Sequence, residues 1–444
     1  MFQRKALEKL RIWAAKKNRK PLILRGARQV GKTTIVKEFG KEFETYLYLN
    51  LENAQARELF NTHGEISELL TAIYLFCNKR KNGGRALLFI DEIQNSPQAV
   101  ALLRYFYEEI PELYVIAAGS LLESLISKRI SFPVGRVEYM ALRPCSFIEF
   151  LGAVGDEFLG EAIAQVQLPA GLHSKAMQLF NTYTLIGGMP EAVASFAENK
   201  DLVALSDIYE FLLTGFMDDI EKYSRNDTMT NVLRLLIGAG WKYAAETIRF
   251  QGFAGSTYKS REMGEAFRVL EKTMLLELVY PTTGFSVPLL ADYKKSPKLI
   301  WLDTGLVNYS AKIQKEVFGA KDIFDAWRGK VAEHVVAQEL LTTDNKVTHK
   351  RYYWVRDKKG ATSEVDFVVQ HDNMLIPVEV KSGHNAKLKS LHIFMDGTTH
   401  ETAFRVWGNP FSIDEVETPG GKKFRLYNIP FYYVAGFEEL VKMG

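Results

Sequence analysis

The chain has 444 residues, of which 47% are hydrophobic and 25% charged, with a formal net charge of +3. These proportions exclude a disordered or fibrous chain and fit roughly two to four globular domains; a charge this near balance does not by itself argue for nucleic acid. Cys77 and Cys145 are the only cysteines, far apart and without metal-ligand spacing, which excludes a disulfide scaffold or zinc module and suits a reducing cytoplasm.

Residues 1–10 carry charges throughout and lack the apolar core of a signal peptide. No uninterrupted apolar run approaches the roughly 18 residues of a membrane span, so no membrane partner is expected. Lys16, Lys17, Arg19 and Lys20 read as a solvated helix end.

The apolar run Pro21–Leu24 predicts a buried strand. It is followed by Gly26-Ala-Arg-Gln-Val-Gly31-Lys32-Thr33, then by helix-like periodicity from Thr34 to Phe39. Strand, glycine loop and helix in that order, with GxxxxGK[ST] spacing, are the context of a phosphate-binding loop. Such a loop turns its backbone N–H groups inward on a polyphosphate, at a helix N-terminus that adds partial positive charge. The candidate ATP-contacting residues are Gly26, Ala27, Arg28, Gln29, Val30, Gly31, Lys32, Thr33 and Thr34. Lys32 can reach the β- and γ-phosphates, and the Thr33 hydroxyl can ligate Mg2+.

Tyr46–Asn50 predicts a second strand. Ala86–Ile90 is fully apolar and ends in Asp91 and Glu92. At the end of a buried parallel strand beside the loop, Asp91 can hold Mg2+ through water, and Glu92 can act as general base on the attacking water. Leu113–Gly119 predicts a further strand that ends in Ser120. Ser120 suits two roles: a polar sensor of the γ-phosphate or lytic water, and the cap of the helix that follows. Repeated strand–helix alternation predicts a parallel sheet with helices on both faces and its ligand edge at the carboxyl ends of the strands. Arg136 follows Gly135 in an otherwise apolar turn. It is either a plain surface arginine or one offered to the γ-phosphate, within its own subunit or from a neighbour in a homo-oligomer.

Gly26–Thr33, Phe89–Gln94, Ala118–Leu122 and the stretch Phe132–Arg136, Leu142–Pro144 and Phe147–Phe150 resemble the prokaryotic AAA-type ATPases of the archaeal-ATPase and STAND-related group. The resemblance covers roughly residues 1–220 and continues past them. It implies an ATPase whose ATP·Mg2+ site is built from these residues, with Arg136 as an arginine sensor or finger.

Residues 170–225 read as helices, with Gly187 and Gly188 before Pro190 marking a turn; they resemble the helical lid that follows such a sheet. Val232–Gly238 and Tyr258–Leu278 carry helical patterns, and Glu277–Pro281 and Lys298–Leu302 predict two strands. Helices followed by a two-stranded wing predict a winged helix-turn-helix, with Glu262–Lys272 as its recognition helix. Arg261, Arg268 and Lys272 are mixed with Glu262, Glu265 and Glu271, so a DNA contact and a protein–protein role are both open.

Trp327–Leu341 predicts an amphipathic helix, and Arg351–Arg356, Ser363–Val369 and Leu375–Lys381 predict three strands. Strand residues two apart share a face, so Glu379 projects with Lys381, and Asp366 with Glu364. Two or three carboxylates with a lysine can bind Mg2+ and activate water for in-line attack on a phosphodiester. Glu333 on a helix, Asp366 on a strand, then Glu379-Val-Lys381 resemble the PD-(D/E)xK nuclease core. They also resemble the C-terminal domain of unknown function that accompanies these ATPases. The resemblance implies Glu333, Asp366, Glu379 and Lys381 as nuclease residues. His384 and His392 read as surface histidines, and residues 396–444 predict short strands and turns without chemistry.

The expected fold class is α/β. A P-loop AAA-type parallel-sheet domain (1–165) is followed by a helical lid or connector (166–228), a winged helix-turn-helix (229–312) and an α/β restriction-endonuclease-like domain (313–444). The expected function is ATP binding and hydrolysis, coupled through the winged helix to a nuclease-like domain acting on DNA. The alternative is a nucleotide-gated switch or scaffold whose inactive C-terminal domain binds a protein partner.

Overall fold

Five parallel strands form the first sheet: β1 (Leu22–Arg25), β2 (Thr45–Asn50), β3 (Ala86–Asp91), β4 (Tyr114–Gly119) and β5 (Glu138–Ala141), in the order β2-β3-β4-β1-β5. The structure is a computed structural model and describes residues 2–62, 65–119, 133–312, 329–342, 345–358, 360, 362–381 and 388–443. Ile23, Leu88, Ile90, Val115 and Ala117 enter one core, while Leu24, Leu87, Phe89, Ile116 and Ala118 enter another. That alternation within near-continuous apolar strands is what a parallel sheet covered on both faces requires. Helices Ile66–Phe76 and Pro97–Glu109 cover the first face, and Lys5–Ala14 and Lys32–Gly40 the second. β4 lies between β1 and β3, with Arg25 beside Gly119 and Ile90 beside Ala117. The carboxyl ends of β1, β3 and β4 therefore meet at one edge.

A single buried cluster then runs from Cys145 to Val441. It takes in helices Phe147–Val154, His173–Ile186, Leu205–Asp218, Asp227–Ala239 and Ser260–Lys272. Ser146 and Glu149 form a capping box on the first of these, an arrangement worth about 1 kcal/mol. Helix Ser260–Lys272 leads into β6 (Leu276–Val279), which pairs antiparallel with β8 (Lys298–Trp301). Helices and a two-stranded sheet thus follow one another as expected, but the connection is not a plain hairpin. Within it, β7 (Pro281–Thr282) pairs in parallel with β9 (Tyr352–Val355) at the edge of a second sheet.

That second sheet has the order β13-β14-β12-β11-β10-β9-β7. Its remaining strands are β10 (Glu364–His371), β11 (Met374–Val380), β12 (Thr402–Trp407), β13 (Ser412–Glu417) and β14 (Lys423–Pro430). β10 runs antiparallel to β9 and β11, whereas β11, β12 and β14 are mutually parallel. Helix Lys330–Thr342 corrects the expectation of an amphipathic element. It is buried on nearly every face, because it is wedged between β8, β11 and the segment Phe431–Gly436. His392 is half-buried with its ring edge-on to Phe424, not on the surface as expected; His384 lies outside the described residues. No helix among the described residues is long and apolar enough to cross a membrane.

Most of the buried polar side chains of that helix are paired, although Glu339 Oε2 has no hydrogen-bond partner among the described residues. His334 Nε2 accepts from Trp301 N at 3.1 Å and Gln338 Oε1 from Thr304 N at 2.8 Å. Glu339 Oε1 accepts from the Tyr183 hydroxyl at 2.6 Å and from Phe147 N at 3.1 Å. Burial pushes the Glu339 carboxyl up to about 7 from 4.5. Between those values the folded chain holds a proton that the unfolded chain has lost, so this group's contribution to stability falls as pH rises through about 7. Glu339→Gln keeps the accepting oxygen and removes the titration. Its unfolding free energy relative to wild type is expected to rise by a few kcal/mol between about pH 5 and about pH 8. Parallel urea titrations of the two proteins measure this, and a pH-independent difference would refute it.

Candidate functional site

Gly26, Ala27, Arg28, Gln29, Val30 and Gly31 bridge the end of β1 to helix Lys32–Gly40. Gly31 has φ +91°, in the region that side chains disfavour. A Cβ on Gly26 would lie 2.4 Å from the Leu142 carbonyl oxygen, so the loop closes only because that residue is glycine. Ile35 N donates to Gly31 O at 2.9 Å, which starts the helix at the loop; Thr34 is exposed on its first turn. Lys32 is buried and its Nζ donates to Gly26 O at 2.9 Å and Ala27 O at 2.8 Å. Burial lowers its ammonium to about 8, against the opposing pull of Glu92 and Asp91.

Thr33 Oγ1 donates to Asp91 Oδ2 at 2.7 Å, across the gap between loop and β3. Glu92 N donates to Asp91 Oδ1 at 3.1 Å. Glu92 itself adopts φ 53°, a left-handed conformation uncommon outside glycine, and its Oε2 accepts from Gln94 Nε2. A hydroxyl and a carboxylate this close are hard oxygen donors of the kind Mg2+ takes in phosphate sites, where it keeps several waters. The four residues Lys32, Thr33, Asp91 and Glu92 are therefore brought together. Ser120 lies outside the described residues.

Arg136 is not brought to this edge. β5 runs parallel to β1 with Glu138 beside Leu22, so Arg136 precedes the amino end of β5, at the edge opposite the loop. There its Nε donates to Glu108 Oε1 at 2.8 Å on the surface. This corrects the reading in which Arg136 reaches the phosphate of its own subunit.

Sequence reasoning missed Arg4. Its guanidinium joins Glu149 at 3.0 Å, Val30 O at 3.3 Å and Arg143 O at 2.7 Å, bracing the loop from behind. It also missed the ion pair of Arg28 with Asp219, just after helix Leu205–Asp218, and the bond from Arg25 Nη2 to Lys272 O at 3.2 Å. The loop is thus tied directly to the helical middle of the chain.

The C-terminal acids converge too, around a lysine that nothing in the sequence singles out. Lys298, on β8, sends its Nζ to Glu333 Oε1 at 2.5 Å and Glu364 Oε1 at 2.6 Å, with Asp366 Oδ1 at 3.8 Å. Burial alone would lower its pKa, but the carboxylates of Glu333, Asp366 and Glu364 outweigh burial and hold it above the ordinary lysine value. Asp366 Oδ2 accepts from Val380 N at 2.8 Å. The register of β10 against β9 shifts between Val365 and Val368, an irregularity of the kind that re-aims a side chain. Glu379 pairs with Lys381 at 2.6 Å, and its other oxygen, Oε2, is buried without a hydrogen-bond partner among the described residues. Burial drives Glu333 up to about 8 and Glu379 up to about 7, with the Asp366 charge adding to both.

These oxygens suit a hard divalent cation. As they stand, however, no group of three or more His, Cys, Asp or Glu side chains among the described residues is arranged to hold a metal ion. The Lys298 ammonium lies among them instead. Beside the cluster opens a cleft of about 540 Å3, lined by Lys295, Arg356 and Lys358 together with Tyr353 and Glu364.

An AAA domain model matches residues 18–151. Two domains of unknown function match residues 177–317 (DUF8612) and 328–406 (DUF4143). No curated protein matches the chain. Similar solved structures include the Walker-type ATPase PABY2304 of Pyrococcus abyssi, at 17% identity over 70% of this chain and 96% of that one, with a TM-score of 0.43. Another is the Aeropyrum pernix ORC1 protein, solved in complex with DNA, at 11% identity over 70% and 93%, with a TM-score of 0.27. A third is PCH-2 of C. elegans, at 13% identity over 44% and 60%, with a TM-score of 0.27.

Proposed function

We propose that the chain, whose residues 18–151 match an AAA domain, binds and hydrolyses ATP as an AAA-type P-loop ATPase and passes the nucleotide cycle to a winged-helix middle and a nuclease-like C-terminal domain acting on DNA. The observation that carries the reading is the convergence of Lys32, Thr33, Asp91 and Glu92 at the carboxyl edge of the first sheet. A polyphosphate entering the loop would replace the Gly26 and Ala27 carbonyls as acceptors for Lys32, and take backbone N–H donors from Ala27 to Thr34. Thr33 and Asp91 would hold Mg2+, which neutralises charge on the phosphates. Glu92 would accept the proton of the water that attacks the γ-phosphorus, as ADP departs. Ser120 would sense the γ-phosphate, and Arg136 would serve a neighbouring subunit of a homo-oligomer. The units in this reading are residues 1–165, 166–228, 229–312 and 313–444, working in the cytoplasm. The contacts of Arg28 with Asp219 and of Arg25 with Lys272 support coupling between the loop and the middle of the chain.

DNA as the object of the C-terminal domain draws support from the acids of the cluster beside a cleft that carries Arg356 and Lys358, together with Lys295 paired to Asp357 at 3.5 Å, since Lys and Arg contacts to phosphate position a nucleic-acid backbone. The test is nicking of supercoiled plasmid with Mg2+ or Mn2+, with and without ATP. Wild-type nicking is expected to fall by about 100-fold or more in Asp366→Ala and in Lys381→Ala. Nicking that survives in both variants would point to a contaminant. No nicking by wild type under any of these conditions would favour the second reading, a nucleotide-gated switch whose inactive C-terminal domain binds a protein. The Lys298 ammonium inside the carboxylate cluster is the observation on that side.

A further inference from the structure

Lys298 enters the C-terminal cluster from outside the C-terminal sheet. It is only 2% exposed, and its strand is gripped from both sides. β8 pairs with β6 on one side; on the other, Leu299 N donates to Glu246 O at 2.9 Å and Ala245 N donates to Leu299 O at 2.8 Å. An ammonium offers three N–H donors and accepts nothing, and here it is ringed by Glu333, Glu364 and Asp366, with the ring of Tyr353 4.8 Å away.

A buried lysine that only needed neutralising would require one carboxylate. Four carboxyl groups, those of Glu333, Glu364, Asp366 and Glu379, share this region with two ammonium groups, those of Lys298 and Lys381. Glu379 is 4% exposed, and its Oε2 has no hydrogen-bond partner among the described residues; a buried polar atom left so costs the full desolvation penalty. Four carboxyl groups crowded around two ammonium groups, one of them with an oxygen left unpartnered, form a donor set that a divalent cation can engage by displacing a proton or an ammonium. Lys381 does not block such a cation: it pairs with Glu379 from the end of the same strand and is 24% exposed at its side chain. Lys298 does, because it occupies the acids' shared centre.

We propose that Lys298 is a tethered counter-ion of this cluster, competing in cis with a divalent cation for Glu333, Glu364 and Asp366, so that the middle of the chain governs whether the C-terminal domain takes up metal. The inference rests on the reading of the cluster as a metal-dependent, nuclease-like site. Lys298 belongs to β8, outside the C-terminal sheet, and Glu333, Glu364 and Asp366 follow it in sequence, on the helix Lys330–Thr342 and on β10. The site is therefore composite, and its charge balance is set by how β8 sits against β10 and that helix.

The test is a Mn2+ titration of the full chain without nucleotide, read by calorimetry and by melting temperature, in wild type, Lys298→Met, Lys298→Arg, and the first two combined with Asp366→Asn. Lys298→Met is expected to bind Mn2+ at least about tenfold more tightly than wild type, since one unit charge this close is worth more than that factor. Lys298→Arg, which keeps the charge, should bind like wild type. Mn2+ should raise the melting temperature of Lys298→Met by several degrees more than that of wild type. All of these gains should vanish with Asp366→Asn, which separates the cluster from the phosphate loop. Equal, Asp366-dependent affinity in wild type and Lys298→Met would overturn the proposal while leaving the metal-site reading intact. No Asp366-dependent binding in any variant would remove both. A Lys298→Met chain that remains unfolded even with Mn2+ would make Lys298 a structural ion pair, and would also overturn the proposal.

Discussion

Lys32→Ala is expected to abolish ATP binding at concentrations that saturate the wild type. The side chain ends in a buried ammonium whose hydrogen-bond partners among the described residues are the Gly26 and Ala27 carbonyls. Those are neutral acceptors, and phosphate oxygens are anionic ones, so the exchange adds ion–ion attraction to bonds that the ammonium already strengthens. Losing them should weaken binding by about 100-fold or more, or about 3 kcal/mol. The truncation also leaves Asp91 and Glu92 without the cation that faces them, which makes the loop more hostile to a polyanion still. Titration with a fluorescent ATP analogue measures the affinity. The fold should survive: Lys32 makes no ion pair with any described residue, and the apolar residues around it, Ala27, Val30, Ile35 and Val36, stay buried. Unchanged nucleotide affinity in a folded variant would remove the loop as the binding site.

What makes that result foreseeable from sequence is that the loop is local. Gly26 to Thr33 are contiguous, and Asp91 is marked by the apolar strand it ends. Strand, turn and helix signals therefore settle most of the first site and its sheet. Arg136 shows where locality stops. Its glycine-flanked turn is legible, but which edge of the sheet it occupies depends on the direction and neighbours of β5, which only the assembled sheet fixes. The braces behind the loop were equally hidden, since Arg4 reaches Val30 and Glu149, 26 and 145 positions away.

The C-terminal cluster divides the same way. Period-two spacing marks Glu379 and Lys381, and strand order brings Asp366 beside them. Lys298 had no signal, because an apolar strand that begins with a lysine looks like any strand with a snorkelling end. Its partners Glu333, Glu364 and Asp366 come from another part of the fold. The helix Lys330–Thr342 failed for a related reason. Its His334, Gln338 and Glu339 look like a solvent face, and become core only because Trp301, Thr304 and Tyr183 supply their hydrogen bonds.

Glu92→Gln is expected to separate turnover from binding, keeping near-wild-type affinity for ATP while slowing hydrolysis by a factor of about 100 to 10,000, the usual contribution of a positioned general base. Glutamine has the same length and keeps an oxygen that can orient a water, but it cannot accept the water's proton. The loop, Lys32, Thr33 and Asp91 are untouched by the change, so the phosphate contacts persist. The backbone at Glu92, with φ 53°, aims the side chain from the end of β3, and that conformation does not depend on the carboxylate's charge. Gln94 complicates the geometry in an informative way. Its amide nitrogen donates to Glu92 Oε2, and its own oxygen is buried without a partner among the described residues, against Gly119, where an added Cβ would meet it at 2.2 Å. The carboxylate is therefore steadied by a residue wedged beside β4. Oε1, which Gln94 does not engage, is the oxygen offered to a water. Single-turnover release of phosphate, measured at saturating ATP beside equilibrium binding, distinguishes the cases. Loss of both binding and turnover would mean that Glu92 holds the site together rather than moving a proton. Unchanged turnover would place the base elsewhere, and with it the chemistry now assigned to the end of β3.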